Sequence, residues 1–252
     1  MMHRKIVERV YRRLLKESKK NVPIENLALF RNTSATETTE GERLGGVYDA
    51  TVVENFLNSE LFDELSEDER EQELLDTIYS AAVAVIQIAH SGEQGYGNCR
   101  DAWIVHAAAG PGYGKLVYSV GYELSSSGKL IPDRRSLTSD AINAWMKVKQ
   151  KSEGEPLDDI ENPKTPDKSD DCVVWPVTKG MKSKNKLSDG LGKEYADVVN
   201  RAYALGNTEY DTGQMIARDF DVARIAEKKG MKGLMNIFNA AFIKFWKREY
   251  RG

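Results

Sequence analysis

The chain is poor in the features that would place it outside ordinary globular proteins. Two cysteines in 252 residues, Cys99 and Cys172, are too few for a disulfide framework or a cysteine-based metal site. The histidines His3 and His90 have no partners at metal-ligand spacing, so no metal is expected. No long apolar run exists: the longest, Ala81 to Ala89, is far too short to span a bilayer. The N-terminus is basic and amphipathic and lacks a continuous apolar stretch, which argues against a secretory signal and for a cytoplasmic protein, with no membrane partner expected. Without export, the glycosylation pattern at Asn32-Thr33-Ser34 is read as chance. Nor is there a strong excess of charge. A net charge of −3 disfavours a dedicated nucleic-acid binder, so nucleic acid is not the favoured partner.

What is present is a chain of 40% hydrophobic and 30% charged residues, long enough for one elaborated domain or two small ones. The charge is uneven: residues 1–20 carry eight Lys/Arg, and residues 54–76 carry ten Asp/Glu against Arg70 alone. Such runs mark solvated helix faces, and these two have the signs to pair with each other.

Ile6, Val7, Val10, Tyr11, Leu14 and Leu15 recur at helical spacing and predict a helix over residues 4–18. Residues 31–46, rich in Thr, Ser, Glu and Gly, read as a surface loop. Residues 50–61 and 67–79 read as helices, the second with the acidic first turn that a helix dipole favours. Val83, Val85, Ile86 and Ile88, the glycine-punctuated stretch 91–98 and Ala102–Ala107 read as a hairpin over 81–109.

Next come the turn Gly110-Pro111-Gly112-Tyr113-Gly114, a helix with Leu116, Val117, Val120 and Leu124 on one face, and a stop at Ser125–Gly128. Leu130-Ile131-Pro132 is a short strand leading to Asp133 and Arg134. Thr138 or Ser139 caps a further helix with Ala141, Ala144, Trp145 and Val148 inward. Residues 150–171 read as a loop, Cys172–Val177 as an edge strand, and 179–186 as a basic linker. Residues 191–205, 211–228 and 232–249 read as helices, the last with a core-facing stripe of Phe238, Phe242, Phe245 and Trp246. The expected organisation is therefore a core with a helical N-terminal extension over 1–150, a linker with an edge strand over 151–190, and a helical segment over 191–252.

A glycine turn between a strand and a helix is a device for anions. The first amides of a helix lack intrahelical acceptors, the dipole is positive there, and glycine lets backbone approach a phosphate closely. Gly112, Tyr113, Gly114 and Lys115 would present those amides, with the Lys115 ammonium as an added contact. A P-loop is excluded, because three residues separate Gly110 from Gly114 and Leu116 follows Lys115. A dinucleotide fingerprint is excluded because the third glycine falls one residue early.

The order strand, G-x-G-x-G turn, helix, strand ending Pro132-Asp133-Arg134, and helix with Ala141 four residues before Trp145 resembles the acyl-coenzyme A-binding half of the GNAT superfamily of N-acetyltransferases. It is especially similar to a divergent GNAT-like group common among tailed-phage proteins, and the resemblance covers residues 81–149. It implies an α/β (α+β) fold: a central mixed sheet with flanking helices and additional N- and C-terminal helices. In that family the turn after the fourth strand cradles the coenzyme A pyrophosphate, the fourth and fifth strands splay to admit the pantetheine, and the next helix flanks the thioester.

The resemblance thus implies acetyl-CoA or another acyl-CoA as cofactor, bound through Ala107, Ala109, Gly110, Gly112, Tyr113, Gly114, Lys115 and Asn143, and a small-molecule or macromolecular amine as acceptor. His106 would deprotonate the amine, Tyr118 is the nearby phenol for the departing thiolate, and Asp133 and Arg134 are substrate candidates beside their role as an ion pair or helix cap. Two departures accompany it. Ala108 stands where the family's turn usually carries Arg or Gln, and Trp145 replaces its usual tyrosine. Two alternatives remain beside the acyltransferase: a catalytically inactive phage-associated binding or structural protein, and a transferase using another activated donor on a nucleic-acid-linked substrate.

Overall fold

The computed structural model describes residues 22–32, 42–90, 103–132, 139–151, 154–157, 198, 200–204 and 219–249. Its strands are β1 (Leu27–Asn32), β2 (Glu42–Asp49), β3 (Ala82–His90), β4 (Trp103–Ala109), β5 (Lys129–Pro132), β6 (Glu155–Pro156) and β7 (Arg201–Ala204). Its helices are α1 (Ala50–Leu57), α2 (Glu60–Glu64), α3 (Glu67–Ala81), α4 (Gly114–Leu124), α5 (Ser139–Lys151), α6 (Asp219–Lys228) and α7 (Leu234–Glu249). The strands form one sheet in the order β1-β2-β3-β4-β5-β7-β6. Neighbours are antiparallel except β4 and β5, which run parallel. The α+β class with a mixed central sheet and flanking helices is therefore the observed one.

Two adjacent glycines on β2 show how the layers are arranged. A Cβ added at Gly45 would lie 2.6 Å from Val120 and 2.8 Å from Leu124 of α4, and one added at Gly46 would clash with the Phe242 ring of α7, 2.3 Å from its Cζ. Successive strand residues point to opposite faces, so α4 covers one face of the sheet and α7 the other. On the α7 side, Phe30, Tyr48, Phe238 and Phe242 form a cluster with ring centroids 5.1–6.3 Å apart. Phe238, Phe242 and Phe245 are buried, as the expected core stripe requires.

Local chemistry sets the helix ends. The Asp49 carboxylate accepts from the Thr51 N–H at 3.0 Å to start α1. The helix expected over 50–61 is broken at Asn58-Ser59, where Ser59 Oγ accepts from Phe62 N–H at 3.2 Å and starts α2. Glu67, Asp68 and Glu69 occupy the first turn of α3, and Glu69 accepts from Ser66 N–H at 3.1 Å. The acidic stretch meets lysines of the C-terminal part: Asp63 with Lys229 and Asp76 with Lys244, each at 2.6 Å. Both pairs are solvent-exposed and contribute little each. Its expected partner, the basic segment, lies outside the described residues.

The structure corrects three further sequence readings. The segment 31–46 is not all loop: β1 runs to Asn32 and β2 begins at Glu42. Gly45 and Gly46 are there because helices on both faces press onto the sheet, not because the chain turns. Within 191–205, Arg201–Ala204 is strand, not helix; its pairing with β5 and β6 overrides the helical preference of an Ala-rich segment. Within the expected loop 150–171, Glu155–Pro156 pairs with Arg201–Ala202 as β6. The helix over 4–18, the tip 91–98, the strand over 172–177 and the linker 179–186 lie outside the described residues. No helix among the described residues is long and apolar enough to cross a membrane.

Candidate anion-binding turn

The turn follows the fourth strand and opens the helix on the α4 face. Gly110 N–H donates to Val83 O of β3 at 2.8 Å, which fixes where the chain leaves the sheet. Gly112 sits at φ +92°, a conformation that glycine adopts without strain. Tyr113 (φ −95°, ψ 0°) donates its N–H to Gly110 O at 3.2 Å, and its carbonyl receives the first helical bond, from Val117 N–H at 3.0 Å. The amides of Gly114, Lys115 and Leu116 therefore precede the helical ladder, and the N-cap side chain of Tyr113 does not cap them. A Cβ added at Gly112 or Gly114 would meet nothing within 4 Å. The turn thus has the uncapped amides, the positive dipole end and the clear space that an anion needs, with the exposed Lys115 beside it.

The strand before the turn runs parallel to β5. Parallel pairing of β4 with β5 covers Trp103↔Leu130, Ile104↔Ile131 and Val105↔Pro132, where β5 ends. Strand β4 continues four residues further, its other edge still bonded to β3 from Gln87↔His106 to Ala84↔Ala109. Residues 133–138, with Asp133 and Arg134, lie outside the described residues. Register sorts the side chains of this stretch. Ala107 lies opposite Ile86 and Gly45 on the α4 face, so His106 and Ala108 belong to the α7 face. His106 is half-buried there, opposite Gln87. Ala109 and Gly110 are also half-buried.

No protein-family model, no curated protein and no solved structure matches the chain.

The remaining candidates separate into core and surface. Tyr118, on α4, packs edge-on against Trp145 of α5 with ring centroids 5.1 Å apart. Burial raises its phenol to about 12, so the proton stays on the oxygen at any physiological pH. Trp145 is fully buried and also stacks on Tyr203 of β7, 5.4 Å away at an interplanar angle of 30°. The Tyr122 hydroxyl is buried without a hydrogen-bond partner among the described residues, and desolvation, then the phenols of Tyr203 and Tyr118, push its pKa up. Trp145 and Tyr118 thus belong to an aromatic core between α4, α5 and β7, while Asn143 is exposed on α5.

Two participants escaped the sequence. Tyr203 lies in a segment read as helix, and Val22 donates its N–H to the Tyr113 hydroxyl at 2.8 Å. That contact spans 91 residues, and nothing local signals it.

Proposed function

We propose that the chain binds an acyl-coenzyme A through its pyrophosphate at Gly110–Gly114 and transfers the acyl group to an amine, as the resemblance to the GNAT superfamily implies. The observation that supports this most is the order of elements at the turn: β4, parallel to β5, runs through Gly110–Gly114 into a start of α4 that the N-cap side chain of Tyr113 leaves uncapped. The residues present suit a diphosphate, since the free amides of α4, the cation of Lys115 and the open faces of Gly112 and Gly114 are complementary to a compact anion.

When bound, the thioester would supply the activated acyl group. His106, the one titratable side chain on β4, would take the proton from the attacking amine. The backbone amides of β4 beyond Val105 would bind the pantetheine and support the developing oxyanion. Tyr118, packed against Trp145 in the core and held protonated by burial, would take no direct part in the transfer.

Calorimetry with desulfo-coenzyme A is expected to give a dissociation constant of roughly micromolar order; no heat would remove the reading. His106→Ala is expected to lower turnover by about a hundredfold or more while leaving that binding intact. Unchanged turnover would exclude His106 as the base.

The burial of Trp145 favours a second reading, a GNAT-like protein of the phage type that binds its ligand without turnover. The helix that would flank the thioester carries an indole sealed between Tyr118 and Tyr203 where the family's usual acid stands. Binding without product from any amine tested would select this reading. The third, a donor other than acyl-CoA on a nucleic-acid-linked substrate, rests on basic stretches outside the described residues, and a gel shift with tRNA or duplex DNA at physiological salt tests it.

A further inference from the structure

Tyr113 makes three hydrogen bonds at the turn, two through its backbone and one through its side chain. Its amide donates to Gly110 O, its carbonyl accepts from Val117 N–H, and its hydroxyl accepts from Val22 N–H at 2.8 Å. The ring packs on the core and lies 3.7 Å from where a Cβ on Gly110 would be. The phenol therefore bridges two parts of the chain that are adjacent only in space: the turn, and the point at which the backbone enters β1 through Val22-Pro23 and the 3-10 turn Ile24–Asn26. The Tyr113 side chain does not cap α4 itself; its hydroxyl is used on Val22 instead.

We propose that Tyr113 is a positioning residue that couples the turn to the chain entry at Val22, so that anion binding at Gly110–Gly114 and docking of Val22 stabilise one another. This rests on the acyl-CoA reading of the turn. The physical reason is preorganisation: the amides of Gly114, Lys115 and Leu116 bind best when held in one geometry before the ligand arrives, and the Val22 bond is a long-range restraint on that geometry. Coupling is reciprocal, so a ligand on the turn must also tighten the Val22 contact.

The test is a double-mutant cycle read by calorimetry with desulfo-coenzyme A on the full chain. Tyr113→Phe removes the acceptor and keeps the ring; Val22→Pro removes the donor N–H. Each is expected to weaken binding by roughly three- to tenfold, the span of one net hydrogen bond. The double variant is expected to be no weaker than either single one. In the wild type, the ligand is expected to slow amide exchange at Val22, and in Tyr113→Phe it is expected not to. A bond that served stability alone would lower the melting temperature of both variants and leave the dissociation constant unchanged. Wild-type affinity in Tyr113→Phe, or losses that multiply in the double variant, overturns the coupling while the acyl-CoA reading stands. Absence of binding in the wild type overturns both.

Discussion

Gly112→Glu is expected to abolish binding of desulfo-coenzyme A. Two effects add. At φ +92° any side chain is strained, at a cost of about 1–2 kcal/mol, which the turn would relieve by moving its amides away from their present directions. The larger effect is charge. A carboxylate at this position would face the ligand's phosphates across space that now holds no atom within 4 Å of the added Cβ. Two unit charges about 4 Å apart at an effective dielectric near 20 repel by about 4 kcal/mol, roughly a thousandfold in affinity. Gly112→Ala carries the backbone strain without the charge and separates the two, with an expected loss of about tenfold. The added Cβ meets no neighbour, so both variants are expected to fold, which circular dichroism and a cooperative melt would check. If Gly112→Glu bound as well as the wild type, the anion would not lie on this turn.

The parts of the fold legible in the sequence are those set by contacts within one element. Leu116, Val117, Val120 and Leu124 announced α4 because a helix repeats its buried face every three to four residues, and all four are buried. The β3–β4 hairpin was legible from the β-branched and aromatic runs Val83–Ile88 and Trp103–Val105 on either side of a glycine-punctuated stretch, and the turn from its glycine spacing. What escaped depends on distant partners. Gly45-Gly46 looks like a loop until Val120 and Phe242 are seen against it, and Arg201–Ala204 becomes strand only because β5 and β6 offer it hydrogen bonds. The same holds at the site. Tyr118 and Trp145 were noticed as candidates by position, but their contact with each other, and that of Trp145 with Tyr203, makes them core, and no spacing rule would have joined Val22 to Tyr113.

This division has a functional side. The amides that would hold an anion are local, set by the glycines and the start of α4. Their orientation is not local: it depends on Gly110 being tied to Val83 of β3, and β3 on the sheet being clamped by α4 and α7.

Gly46→Ala tests that clamp. The new Cβ would lie 2.3–2.4 Å from Cζ, Cε1 and Cε2 of Phe242, so either the ring or the strand must move. The ring has nowhere to go: it is fully buried, stacked on Phe30 with centroids 5.6 Å apart and flanked by Tyr48 at 6.2 Å and Phe238 at 6.3 Å. The strand is held on both sides, with Gly46 opposite Phe30 of β1 and Val85 of β3. One methyl group is therefore expected to cost about 3 kcal/mol or more, the upper end for overpacking, and to lower the melting temperature by roughly 6–12 °C. Phe242→Ala alone, which opens a cavity, is expected to cost about 3–5 kcal/mol. The two changes should compensate, because the alanine methyl fills part of the volume the ring vacates. The double variant is then expected to be less destabilised than the sum of the singles by at least about 1 kcal/mol. Strict additivity in denaturant melts would mean that Gly46 is required for something other than the approach of Phe242.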